Sequence, residues 1–226
     1  MTRTLWFAAA ALCAFASAAP AQSLASRDGR LSGRLDSATV VRVEAIADTT
    51  RAAGLPTEPL IDKALEGASK HASPERIVDA VRGLARRLAV ARTALGADAS
   101  DADLLAGAGA LYEGVSSDDL TRLRRARRAQ PVALPLVVLA DLIERGVPAG
   151  TATRIVLDVA RSGAGDDTFA SMRRDVELDI RAGAPPAIAA STRARGAIYS
   201  RPSLPGAAAA GGPTSTGEAL GPTKHP

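Results

Sequence analysis

Four short segments of one kind divide the middle of this chain, and they constrain its fold more than any other feature. Each is a glycine followed by an apolar residue and then by proline or serine: Gly54-Leu55-Pro56, Gly114-Val115-Ser116, Gly146-Val147-Pro148 and Gly183-Ala184-Pro185. Glycine takes the left-handed conformation that ends a helix, and proline or serine is favoured where the next helix begins. Residues 36–196 are therefore predicted to form a series of helices joined by tight turns.

Between these turns, hydrophobic residues recur at steps of three and four, as one buried face of an α-helix requires. The longest such stripe contains Ile77, Val81, Leu84, Leu88, Ala91 and Leu95. Residues 136–143 are apolar except for Asp141, a pattern typical of a helix surrounded by other helices. No stretch alternates in the way a half-buried strand does. The predicted fold class is all-α, with a disordered C-terminal tail.

Two arrangements of these helices are consistent with the sequence. Gly54 and Gly146 lie 92 positions apart, and at this offset Leu65 matches Leu157 and Arg82 matches Arg174. A duplicated helix pair would favour a short, solenoid-like stack of helical hairpins. An irregular helical bundle with similar turns would give the same matches, because alanine-rich helices align readily with one another.

The first 21 residues resemble a secretory signal peptide. Arg3 provides the positive start, residues 5–16 are apolar, and Ala19-Pro20-Ala21 is a cleavage site of the A-x-A type. The apolar run is too short to cross a bilayer as a helix. Lipidation at Cys13 is disfavoured, since the large Leu12 precedes the cysteine. We therefore predict an exported protein, periplasmic or secreted, without a transmembrane segment in the mature chain.

The predicted domain organisation has four parts. A signal peptide (1–21) precedes a flexible leader (22–35), a helical domain (36–196) and a disordered tail rich in proline, glycine and alanine (197–226). Cleavage would remove the only cysteine and the only tryptophan, so the mature chain could form no disulfide within itself. It would also remove Arg3, lowering the net charge from +4 to +3. This surplus is too small to indicate a polyanion partner by itself, and no nucleic-acid partner is predicted.

The residue types that carry catalysis or bind metals are scarce. His71 and His225 are the only histidines, and neither belongs to a zinc-binding pattern or a nucleophile motif. Carboxylates occur in three pairs: Asp101 with Asp103, Asp118 with Asp119, and Asp166 with Asp167. Each pair follows a turn, where carboxylates cap the free N–H groups of a helix and complement its dipole. No catalytic residue, metal site or cofactor is predicted.

A run of arginines is the surface feature with the most functional content. Arg122, Arg124, Arg125, Arg127 and Arg128 occupy five of seven consecutive positions after the helix start at 116–119. On a helical projection Arg127 falls between Leu120 and Leu123, which predicts a structural role, with the side chain snorkelling or paired to a carboxylate. The other four are candidates for binding anionic phosphates or an acidic protein. They are also what an ordinary solvated helix face would carry.

The sequence therefore predicts an exported, non-catalytic protein that presents helical surfaces to a partner, most simply another protein, in the cell envelope or outside the cell. An alternative is an electrostatic binder of anionic envelope components, acting through Arg122, Arg124, Arg125 and Arg128. A second alternative is a hydrolase in which some of the paired carboxylates form the active site.

Overall fold

A computed structural model describes residues 29–128 and 130–199, and these residues form ten α-helices and no strand. The helices are α1 (Gly29–Ser32), α2 (Ser37–Ala52), α3 (Glu58–Ser69), α4 (Pro74–Leu95), α5 (Asp101–Tyr112), α6 (Ser117–Ala126), α7 (Ala133–Glu144), α8 (Ala149–Arg161), α9 (Asp166–Arg181) and α10 (Pro186–Tyr199). The all-α prediction is confirmed. Within the described ranges, no helix combines the length and the apolar character needed to cross a membrane.

The predicted turns have the expected backbone geometry. The glycines at 54, 114, 146 and 183 have φ angles of 67°, 88°, 92° and 95°, in the left-handed region. The N–H of the apolar residue after each glycine donates to a carbonyl of the preceding helix at 2.9–3.1 Å. This bond satisfies a carbonyl that the helix end leaves free. His71 occupies the same position after α3 with φ 53°, so one turn of this kind is built without glycine.

The helices pack in two rows, because most helices contact the second helix along the chain. Row one consists of α2, α4, α6, α8 and α10, in which every helix packs on the next member of the row. In row two, α5 packs on α7 and α7 on α9, while α3 lies beside them on α4. The rows are joined where α3 and α5 pack on α4, α7 on α8, and α9 on α10. This arrangement is a helical bundle whose successive helices lie largely on two sides.

The helix boundaries repeat at the predicted offset, whereas the packing does not. Position 58, where α3 begins, corresponds to 150, and position 74, where α4 begins, corresponds to 166; α8 and α9 begin at 149 and 166. However, α3 packs directly on α4, while α8 and α9 share little contact and both pack on α10. The matching turns therefore do not produce two equivalent hairpins.

Helix α7 is packed on one side only: Val137 is 40% exposed, and α4 has more helix neighbours, so the prediction of a helix surrounded on all sides is wrong. It contacts α5, α8 and α9, and it buries Leu136, Val138, Leu139 and Leu142. The core is otherwise built from small aliphatic residues, and Phe169 of α9 is its largest fully buried side chain.

Two predicted boundaries of the helical domain need correction. Residues 29–32 of the predicted leader form α1, and Leu31 is fully buried against the core, so the domain includes this segment. Leu31 packs on the core because its side chain is apolar, although its neighbours in the sequence are mostly polar. At the other end, α10 continues to Tyr199 rather than ending at 196. The predicted signal peptide and the remainder of the predicted tail lie outside the described residues.

Candidate functional site

The arginine run extends past the end of its helix. Helix α6 ends at Ala126, so Arg127 is its C-cap residue and Arg128 lies beyond it. Arg122 is held by Asp119, with 3.0 Å between Nη1 and Oδ1, and Arg124 donates to the Gln130 carbonyl at 3.1 Å. Arg125 and Arg128 are exposed. The four predicted anion-binding residues therefore do not converge on one pocket.

Arg127 has the structural role that its position predicts. Its side chain is buried and donates to the carbonyls of Pro131 and Ala164 at 3.0 and 2.7 Å. Its Nη2 lies 2.5 Å from Oδ1 of Asp166, and the guanidinium lies over the ring of Phe169, 5.2 Å from the centroid. Arg127 thus joins the end of α6 to the beginning of α9.

The paired carboxylates lie in the first turns of α5, α6 and α9, as predicted. Asp103 and Ser100 form a reciprocal capping box, and Asp103 also accepts the Val132 N–H at 2.8 Å. Asp119 contacts the Ser116 hydroxyl at 2.8 Å, and Asp166 binds Arg127. The capping interpretation is confirmed for Asp103, while at the start of α6 the Ser116 hydroxyl accepts the Asp119 N–H and is the cap. In the described part of the chain, no three His, Cys, Asp or Glu side chains are grouped so as to hold a metal ion.

Charge is segregated between the two rows. The five helices of row one carry fourteen arginines and seven carboxylates. The helices α3, α5, α7 and α9 carry four basic side chains and twelve carboxylates. The near-balanced sequence therefore folds into a molecule with a basic row and an acidic row. The predicted arginine helix is one member of the basic row.

A groove crosses the surface of row two. Two adjoining depressions of about 520 and 570 Å³ share Leu105 and Gly109 of α5 with Ala140 and Glu144 of α7. The first extends over α4 toward α3, and the second extends along α7 to α9. Additional small or apolar side chains in the lining are Ala80, Gly83, Leu84, Ala102, Ala106, Ala108, Tyr112, Ala133 and Val137. We call this feature the row-two groove.

Two glycines of α5 differ in their surroundings. A Cβ on Gly107 would lie 3.1 Å from side-chain atoms of Ala91 and Leu95 and 3.3 Å from Leu120, so this glycine permits close packing on α4 and α6. A Cβ on Gly109 would meet nothing within 4 Å. Glycine within a helix lowers its stability by about 1 kcal/mol relative to alanine. The packing of this chain explains Gly107 and leaves Gly109, in the floor of the groove, without a structural reason.

Charged side chains border the groove. Asp141 contacts Arg145 and Arg173 at 2.9 and 3.2 Å, and the carboxylate raises the pKa of Arg145. By contrast, Glu113 and Glu144 take part in no ion pair within the part of the chain that the structure describes. The lining also includes the basic side chains of Lys63, Arg87 and Arg173, so the border of the groove carries both signs of charge.

A separate cavity of about 720 Å³ lies between the start of α9 and α10. Its lining includes Asp167, Ser171, Asp175, Thr192 and Arg193. Arg193 is held by Asp179, with both oxygens at 2.6 Å, and this contact lowers the pKa of Asp179 and raises the pKa of Arg193. Asp175 is a weaker partner at 3.9 Å. Asp175 and Asp179 therefore fasten α10 to α9 through Arg193.

The groove and the charged rows were not predicted, because each depends on which helices become neighbours. The sequence held one usable signal for the groove, the pair of glycines within a single turn of α5. The chain matches no family model and has no significant match among the curated proteins or the solved structures.

Proposed function

We propose that this protein is an exported, non-catalytic binding protein that holds a segment of another protein in the row-two groove. The observation that carries the proposal is Gly109, which leaves open space in the groove floor at a cost to the stability of α5. A partner that approaches the backbone closely at this point would account for the residue.

The groove also indicates the chemistry of the segment. Leu105 and Val137 are 38% and 40% exposed, and they would be covered by apolar side chains of the partner. Glu113 and Glu144 would accept a lysine or arginine close to those apolar side chains. The partner segment would be short, with one apolar side that faces the groove and a basic residue at the edge of that side. Amphipathic helices bind in the grooves of other proteins in this way.

Site-specific photocrosslinking in cells that produce the protein tests this proposal. A photoreactive phenylalanine derivative would replace Val137 in the groove or, as a matched control, Val90 in row one, which is 43% exposed. We expect a discrete crosslinked product from position 137, absent from position 90 and lost when Leu105→Asp is added. No product at 137, or the same product from both positions, would contradict the proposal.

A second candidate function is electrostatic binding of anionic envelope components. The observation that favours it is the excess of arginines in row one, to which Arg122 and Arg125 of α6 contribute. Arg124 and Arg128 complete the set considered from the sequence. No residue of α6 lines the groove, so the two functions are compatible.

A further inference from the structure

We propose that row one is a docking face for an anionic phospholipid membrane, which leaves the row-two groove directed away from the bilayer. The inference rests on the electrostatic candidate function and extends it from one helix to five. It does not depend on the groove having a partner.

The first support is the distribution of exposed arginines. Every helix of row one has at least one arginine that is exposed; these are Arg42, Arg51, Arg76, Arg86, Arg122, Arg125, Arg154, Arg161, Arg193 and Arg195. Some of them have partners nearby, such as Arg51 with Asp48 and Arg161 with Asp158. Arg42, Arg86, Arg125 and Arg154 make no ion pair with the described residues. These four lie on four successive helices of the row, so the available charge is distributed along the row, and Arg42 and Arg86 share one cleft.

The second support is the opposite charge of row two. Its surplus of carboxylates would be repelled by an anionic surface, while row one would be attracted. The protein would therefore approach such a surface in one orientation. A uniformly basic protein would lack this preference.

The third support favours a membrane over a soluble polyanion. A cleft of about 560 Å³ between α2 and α4 is lined by Arg42, Arg82 and Arg86 and has an apolar floor that includes Ile46 and Ala85. Arginines bind phosphate groups, and the apolar side chains between them would contact acyl chains. A phospholipid carries both of these groups in one molecule. Exposed Val41 and Val90 lie on the same two helices. Basic and apolar side chains together are characteristic of surfaces that rest on anionic membranes.

Vesicle sedimentation tests the inference. The full chain would be mixed with vesicles of equal parts phosphatidylglycerol and phosphatidylcholine, or of phosphatidylcholine alone. We expect sedimentation with the anionic vesicles only, falling steeply as salt screens the charges. Failure to bind the anionic vesicles at low salt would overturn the proposal. Equally tight binding to soluble polyphosphate would also overturn it, in favour of a soluble anion.

Matched charge variants separate a docking face from net charge. The variant Arg86→Gln/Arg125→Gln/Arg154→Gln removes three charges from row one, and Lys63→Gln/Arg174→Gln/Arg181→Gln removes three from row two. We expect the first to weaken binding at least about tenfold and the second to leave it nearly unchanged. Equal loss in both would show that only net charge matters. Loss in Arg122→Gln/Arg125→Gln/Arg128→Gln but not in Arg42→Gln/Arg86→Gln/Arg154→Gln would restrict binding to α6 and overturn the five-helix face.

A pair of tryptophan reporters tests the orientation. In a Trp6→Phe background, Val90→Trp places the only tryptophan in row one, and Val137→Trp places it in the row-two groove. With anionic vesicles we expect a blue shift of the fluorescence for position 90 and none for position 137. A shift at 137 alone, or at both positions, would contradict the proposed orientation.

Discussion

The two rows have similar interiors and opposite surfaces. Both bury leucine, valine and alanine, yet row one has twice as many arginines as carboxylates, while row two has three carboxylates for each basic residue. Helices with contrasting charge largely alternate along the chain, and packing of every second helix sorts them onto two sides. A net charge of +4 conceals this difference. The comparison shows that the order in which helices pack can separate positive from negative charge in a chain whose net charge is small.

The clefts of the two rows differ in the same way. The row-one cleft between α2 and α4 has arginines at its border, whereas the row-two groove has glycine and alanine in its floor and Glu113 and Glu144 among its charged border residues. One is suited to anions and the other to an apolar segment with a basic residue. The interface between the rows must be stable for this division to persist.

The largest expected effect comes from breaking the interior that both rows share. Leu139 is 2% exposed in α7, so Leu139→Asp would bury an unpaired charge and destabilise the fold by about 4 kcal/mol or more. Val137→Asp, two residues away in the groove, should change the free energy of unfolding by less than about 1 kcal/mol. Denaturant unfolding followed by circular dichroism would measure both. A stable Leu139→Asp variant would show that Leu139 is not part of the core.

A smaller effect is expected where Arg127 joins α6 to α9. Arg127→Met would leave the carbonyls of Pro131 and Ala164 without their donors and lower the free energy of unfolding by about 2–3 kcal/mol. The same substitution at exposed Arg125 should change it by less than about 0.5 kcal/mol. Thermal and denaturant unfolding would measure both variants. An equal loss of stability in the two would refute the distinction between a structural and a surface arginine.

The contact of α5 with row one can be tested at its two glycines. Gly107→Val would overpack the contact with Ala91 and Leu95 and lower the free energy of unfolding by about 1–3 kcal/mol. Gly109→Val should be neutral or slightly stabilising, because its side chain would enter open space and valine is a better helix former than glycine. Equilibrium unfolding of the pair measures the difference, and a loss of stability at Gly109 would contradict the open groove floor.

The smallest effect is a pH-dependent loosening at the end of the bundle. Arg193 holds the pKa of Asp179 below its ordinary value near 3.8. The contact therefore stabilises the folded state above that value, and this contribution is lost as the pH falls through the lowered pKa. Hydrogen exchange of α10 should increase in this acidic range relative to that of α7. In Asp179→Asn, exchange of α10 should be faster already at neutral pH and should depend less on acid.

Local features of the fold were predictable from the sequence, and neighbour relations were not. The turn at Gly146, the capping by Asp103 and the burial of Arg127 follow from residue types within a few positions, where helix geometry fixes the outcome. The burial of Leu31 and the groove over Gly109 depend on how neighbouring helices pack, which residue types within a few positions do not determine. Nothing within α5 alone shows that Gly107 faces α4 while Gly109 faces solvent. Predicting the separation of charge between the two rows likewise requires knowing which helices pack together.

The row arrangement has a consequence for how the chain folds. Every substantial contact between helices joins partners at most two apart in chain order, so closing each contact costs little loop entropy and folding should be fast. Stability is then distributed as in a one-dimensional array, in which each unit is supported mainly by those next to it. Among the described helices, α10 has substantial contacts with α8 and α9 only. Partial unfolding should therefore start there and proceed inward, while the middle of the array remains folded.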